Sequence, residues 1–181
     1  SNSRFIKYAQ SMLRSVPFTG ASKRYENQVG QFNRAVADTV GENADSLTPQ
    51  VYAAAKARQS RQFNELSERN NLRVDSRLIS RLDDIADEAS VDEEASKAVE
   101  KAIERLYAQA QSTQSGVLIP GRAYQALDST LGKIVKGGGT KGHFAGEVRD
   151  AVRSAMDDSI TPQDSAAWRQ LRTEYGNRKT L

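Results

Sequence analysis

The constraint that most narrows the fold is the spacing of the apolar residues. Tyr25, Val29, Phe32, Val36 and Val40 recur at steps of four, three, four and four. A residue turns about 100° in a helix, so these positions share one face. The same three-and-four spacing continues nearly to the end of the chain, and no stretch alternates Val, Ile and Thr as a half-buried strand would. The pattern predicts an all-α fold, an irregular bundle or array of about seven to eight antiparallel helices. Links of two to seven residues favour packing between sequential neighbours.

The predicted helices run over about 4–15, 20–41, 48–70, 75–89, 91–113, 121–135, 140–158 and 161–177. Pro17 and Gly20 end the first, and Gly41 stands where the second should stop. Thr48-Pro49 and Thr161-Pro162-Gln163-Asp164 each read as a cap followed by Pro at the first helical position, where its missing N–H costs nothing. Asp164 at the third position can partly mimic a capping box. Asp75 is a further cap candidate. Asp92, Glu93 and Glu94 fall where the dipole at the start of the fifth helix favours acids. On the third helix the apolar line Tyr52, Ala55, Phe63 and Leu66 is interrupted by polar Gln59. Val117-Leu118-Ile119-Pro120-Gly121 is apolar but not periodic, and is expected to run extended and be pinned into the core. Gly137-Gly138-Gly139 is expected to break the sixth helix from the seventh as a flexible loop over 136–142, with a subdivision of the domain at 114–121. Residues 1–18 read as a separate basic amphipathic helix that packs or projects, and 19–181 as the helical domain.

Composition sets what such helices can hold. Leu, Ile, Val and Phe number 36 of 181 residues, near the lower edge for folded domains, while Ala adds 23. The core is therefore thin and the helices Ala-faced and close. No cysteine is present, which excludes disulfides, cysteine nucleophiles and cysteine-held zinc. The single histidine, His143, excludes a histidine-rich metal site. No run approaches the 18 apolar residues of a membrane span, and residues 4–18 lack the apolar centre of a signal peptide. The chain starts Ser1-Asn2-Ser3 and ends at Leu181 in the manner of a piece cut from a longer protein, or one left by tag cleavage.

Charge is unevenly placed. Residues 1–60 carry a net +4, 61–114 a net −4 and 115–181 a net +3. The densest run is acidic, with Asp83-Asp84, Asp87-Glu88 and Asp92-Glu93-Glu94. The candidate contacts to nucleic acid or a membrane surface are Arg4, Lys7, Arg14, Lys23 and Arg24 at one end and Lys133, Lys136 and Lys141 at the other. Trp168 is either core or an interface anchor, a role in which tryptophan is enriched.

No chemistry is built by spacing. Gly137-Gly138-Gly139-Thr140-Lys141-Gly142 shares only composition with a phosphate loop, since Gly rather than Ser or Thr follows Lys141 and no strand precedes. Asp83, Asp84, Asp87 and Glu88 lack calcium-loop spacing and read as a solvated face. No catalytic residue, metal, cofactor or small-molecule substrate is expected.

The stretch Arg24-Tyr25-Glu26-Asn27-Gln28 through Gln31-Phe32-Asn33-Arg34-Ala35-Val36 resembles a pattern of large tailed-bacteriophage virion proteins of the internal or DNA-ejection (DNA-transfer) type. Gly41-Glu42, Leu47-Thr48-Pro49 and Phe63 fit it, as do Ala167-Trp168-Arg169-Gln170-Leu171-Arg172, Tyr175, Asn177 and Lys179-Thr180. The resemblance implies a non-catalytic structural module that serves particle structure or genome delivery. Its partners would be other virion proteins or further segments of the same chain, with DNA or a membrane surface as further contacts. Its location would be the virion, or the host cytoplasm before assembly. Two alternatives stand beside it: a DNA- or membrane-contacting helical binding module, and a hydrolase domain of the ejection machinery.

Overall fold

A computed structural model describes residues 22–44 and 48–180, with side chains from residue 30 onward. The described residues form seven helices and one small sheet, an all-α fold arranged as an irregular multi-helix bundle. In order these are α1 (Ser22–Thr39), α2 (Pro49–Arg69), β1 (Asn71–Val74), α3 (Ser76–Ala89), α4 (Glu93–Ala108), β2 (Gln111–Thr113), β3 (Gly116–Pro120), α5 (Gly121–Gly137), α6 (Gly139–Ser159) and α7 (Pro162–Thr180). The helix expected over 4–15 lies outside the described residues. The chain divides into two compact units, one from Ser1–Gln62 with Arg169–Leu181 and one from Phe63–Trp168. The boundaries therefore fall inside α2 and α7 and not at 114–121.

In the first unit α1 ends as its glycine predicts. Gly41 N–H donates to the Asp38 carbonyl and Glu42 N–H to the Ala37 carbonyl, at 2.9 and 3.1 Å. This paired closure needs a left-handed residue, and Gly41 supplies φ 76°. Thr48 caps α2 by accepting from Val51 N–H at 3.2 Å. Val36, Ala37, Val40, Ala55 and Leu171 form the apolar interior. Gln59, on the apolar line of α2, is also buried, and its amide oxygen accepts from Arg178 Nε at 2.7 Å.

The second unit is organised on α6, which packs against α3, α4, α5 and β1. Its inward face is Phe144, Ala145, Val148, Val152 and Met156. Small residues bring α6 close to α5. A Cβ placed on Gly142 would stand 3.2 Å from the Val135 carbonyl oxygen. The two helices are joined through Gly138 alone, with φ 69°, so the loop expected over 136–142 is a one-residue link between helices. Leu78, Leu82, Ile85 and Ala89 of α3 and Ala95, Val99, Ala102 and Leu106 of α4, each at helical spacing, complete the core. Asp75 and Asp92 cap these helices by accepting from Leu78 N–H and Ala95 N–H.

The sheet is the main departure from expectation. Its order is β1-β3-β2, antiparallel throughout. The segment expected to run extended is its central strand, and Ile119 is fully buried opposite Leu72, also fully buried. The helix expected to continue to Thr113 stops at Ala108 instead. Ser and Thr compete for backbone groups and weaken a helix end. Here Thr113 Oγ1 accepts from Ser115 N–H at 3.1 Å and donates to the Gly116 carbonyl at 2.9 Å, closing a β2–β3 hairpin.

Two glycines are expected to resist substitution for different reasons. Gly41→Ala forces a left-handed alanine, at a cost of about 1–2 kcal/mol, and sets its Cβ 2.5 Å from the Glu174 carboxyl. Gly121→Ala drives a Cβ into the backbone oxygens of Ser67 and Asn70, which cannot swing away. It should cost more, about 3 kcal/mol. Urea midpoints of the two variants check the order.

Candidate functional site

Several polar groupings and a hollow are built by these elements. In the first unit Arg58 joins three partners. Its Nε donates to Glu42 Oε1 at 2.9 Å, its Nη2 to the Val40 carbonyl at 2.6 Å and its Nη1 to Gln62 at 2.7 Å. The same Nη2 forms an ion pair with the buried Glu174 Oε2 at 2.9 Å. Burial alone would lower the Arg58 pKa; the carboxylates of Glu42 and Glu174 more than offset it and raise it. Arg178, nearly buried, lies over the rings of Tyr52 and Tyr175 at 5.5 and 5.1 Å. These contacts fasten the start of α2 to the end of α7.

In the second unit Asp128 of α5 receives two arginines one turn apart on α6. Arg149 donates through Nε at 3.0 Å and Nη2 at 2.9 Å; Arg153 donates through Nε at 2.5 Å and Nη2 at 3.0 Å. The three side chains are only 13–18% exposed. Burial pushes the Asp128 pKa up, but the hydrogen bonds and charges of Arg153 and Arg149 outweigh it and hold the carboxyl below its ordinary value. Asp164 is likewise held low, first by the hydrogen bond from Arg69, then by Asn70. Asn70 Nδ2 reaches Asp164 at 2.8 Å and the Leu66 carbonyl at 2.7 Å, and its Oδ1 accepts from Thr161 N–H. The carboxylate placed by the Thr-Pro-Gln-Asp signal thus ties the end of α2 to the start of α7.

Of the two roles open to Trp168, the structure shows core and not an exposed anchor. It is 2% exposed, meets Phe63 edge-on at 5.4 Å and Tyr124 at 6.5 Å, and donates from Nε1 to Asp157 at 2.7 Å. Both the ring and its polar handle are satisfied within the unit.

The basic candidates separate. Arg4, Lys7 and Arg14 lie outside the described residues. Lys23 and Arg24 fall in the first turn of α1, whose side chains are not described. Lys133 and Lys136 in the last turns of α5 and Lys141 in the first turn of α6 are exposed at one end of the helical hairpin. Lys141 lies 3.6 Å from Glu94. His143 is exposed, with its ring against Phe144 at 5.0 Å. Asp83, Asp84, Asp87 and Glu88 are exposed on α3, and the described residues contain no cluster able to hold a metal ion. No helix among them is long and apolar enough to cross a membrane.

The hollow was not foreseen. It opens beside α4, the sheet and α5, with a volume of about 490 Å³. Arg105, Gln109 and Gln111 line one side and Arg122 and Thr130 the other, over a floor of alanines, Pro120 and Leu127. No acidic residue lines it. The signal available in sequence was two arginines flanking a short apolar strand, which says nothing until the hairpin folds back.

Comparison with protein families, curated proteins and solved structures found no match.

Asp128→Asn should destabilise the protein by about 3 kcal/mol, because two buried guanidinium groups lose their counter-charge. The lowered folded pKa of Asp128 means that its contribution is full above the ordinary carboxylate value of about 4 and fades as pH falls through the folded value. Denaturant titrations from neutral to acid pH should show a loss of stability in the wild type that is shallower in the variant.

Proposed function

We propose that this chain is a non-catalytic structural module of a tailed-phage virion protein of the internal or DNA-ejection type, acting through its surfaces. The observation that carries this reading is how the resembling stretches assemble. Those over 24–42 and 169–180, with Thr48-Pro49, belong to the one unit drawn from both ends of the sequence, while Phe63, Ala167 and Trp168 belong to the other. There Asn177 Nδ2 donates to the Thr39 carbonyl at 2.8 Å, and Glu174 packs on Gly41. Stretches more than a hundred residues apart in sequence are parts of one folded object, as expected if they form one module.

The shifted carboxylates support a holding role. A general acid at neutral pH needs a raised pKa, whereas Asp128 and Asp164 are both lowered by arginines that fasten helices together. The partners in this reading are other virion proteins or further segments of a longer chain, in the particle or in the host cytoplasm before assembly. Mass spectrometry of purified particles from a producing host tests it: the full-length product is expected among the virion proteins, and its absence overturns the assignment.

A binding-module reading rests on Lys133, Lys136 and Lys141 at one end of the α5–α6 hairpin. If this end meets DNA phosphates, Lys133→Glu with Lys136→Glu should weaken duplex binding and flatten its salt dependence. Unchanged binding by electrophoretic shift removes this reading.

A further inference from the structure

The hollow beside α4 and α5 combines three features that no internal contact explains. Arg105 and Arg122 come from different helices and line the same space, and neither forms an ion pair or side-chain hydrogen bond among the described residues. They do so although residues 61–114 are acidic overall and carboxylates stand nearby in sequence, Glu104 being adjacent to Arg105. The floor between them is apolar, with Pro120, Ala123, Ala126 and Leu127. Finally, Gln111 lines the hollow and is the first residue of β2, an edge strand of the sheet, and all three β2 residues are exposed.

We propose that this hollow docks an extended peptide segment that alternates carboxylate and apolar side chains. The carboxylates meet Arg105 and Arg122, to which guanidinium groups can donate paired hydrogen bonds. The apolar side chains cover the Pro120–Leu127 floor, and the peptide backbone lies along the unpaired edge of β2. A volume of about 490 Å³ suits a few side chains and not a folded domain. A duplex fits less well. It needs cations in succession along its phosphates, whereas α4 carries Glu100 and Glu104 close to Arg105 in sequence. This inference stands apart from the virion reading, since it holds or fails on the hollow alone.

The test is fluorescence anisotropy on the full chain with a labelled Glu-Leu-Glu-Leu-Glu peptide, its Gln-Leu-Gln-Leu-Gln counterpart and a short DNA duplex. The variants are Arg105→Glu, Arg122→Glu and Ala126→Trp. All three positions are exposed, so the fold should be retained, and circular dichroism checks this. The acidic peptide is expected to bind, to lose at least about tenfold in affinity with each arginine reversal, and to lose a similar factor when tryptophan fills the hollow. The glutamine peptide should bind more weakly, and amide exchange at Ser112 should slow when the acidic peptide is added. Absence of acidic-peptide binding, indifference to both reversals, or binding without change at Ser112 overturns the assignment. Duplex binding that alone depends on Arg105 and Arg122 overturns it in favour of a nucleic-acid surface.

Discussion

A shortage of large apolar side chains governs this fold. With so few Leu, Ile, Val and Phe residues, helices must approach closely to bury what they have. Gly142 lets α6 reach the backbone of α5 at Ile134 and Val135. Close approach then traps polar side chains that a wider core would leave in water. Asp128, Arg149 and Arg153 are enclosed in this way between α5 and α6, and Gln59 and Arg178 in the other unit. Each enclosed group carries a desolvation cost that only a matched partner offsets. The ion pairs and amide contacts follow from the thin core and are not independent decoration on it.

The same constraint explains how the chain holds its ends and turns. Asn70 bonds to Leu66, Asp164 and Thr161, so one amide closes α2 and opens α7. The small sheet performs similar work on the other side of that helix end. Leu72 and Ile119 bury one another as a cross-strand pair, and Arg73 N–H donates to Ser159 Oγ at the end of α6. Gly121 sits under the last carbonyls of α2, where only a residue without a side chain fits.

Local signals were legible and non-local ones were not. Gly41, Thr48-Pro49 and Asp75 act within four residues of themselves, and each lies where the sequence places it; Pro162 begins α7 as expected, but Asp164 also reaches Arg69 and Asn70, far off in sequence. β1 and β2 are four and three residues long and exist only by pairing with β3, so neither leaves a pattern of its own. Trp168 could not be assigned to core or surface because its ring partners, Phe63 and Tyr124, are remote in sequence. The glycine run read as a loop because composition reports freedom, whereas the packing of Gly142 on α5 removes it. Of the basic residues singled out, Lys133, Lys136 and Lys141 lie exposed at the same end of the α5–α6 hairpin. Arg105 and Arg122 escaped notice because a β-hairpin separates them.

One unit is continuous in sequence, while the other needs residues from both sides of it. During synthesis α1 leaves the ribosome before the second unit, and Leu171, Glu174 and Arg178 emerge after it. The intervening stretch is a compact unit by itself once Trp168 is out, so it can close while the earlier segment still waits. Assembly order is thereby written into connectivity, with α1 enclosed only after the stretch that follows it.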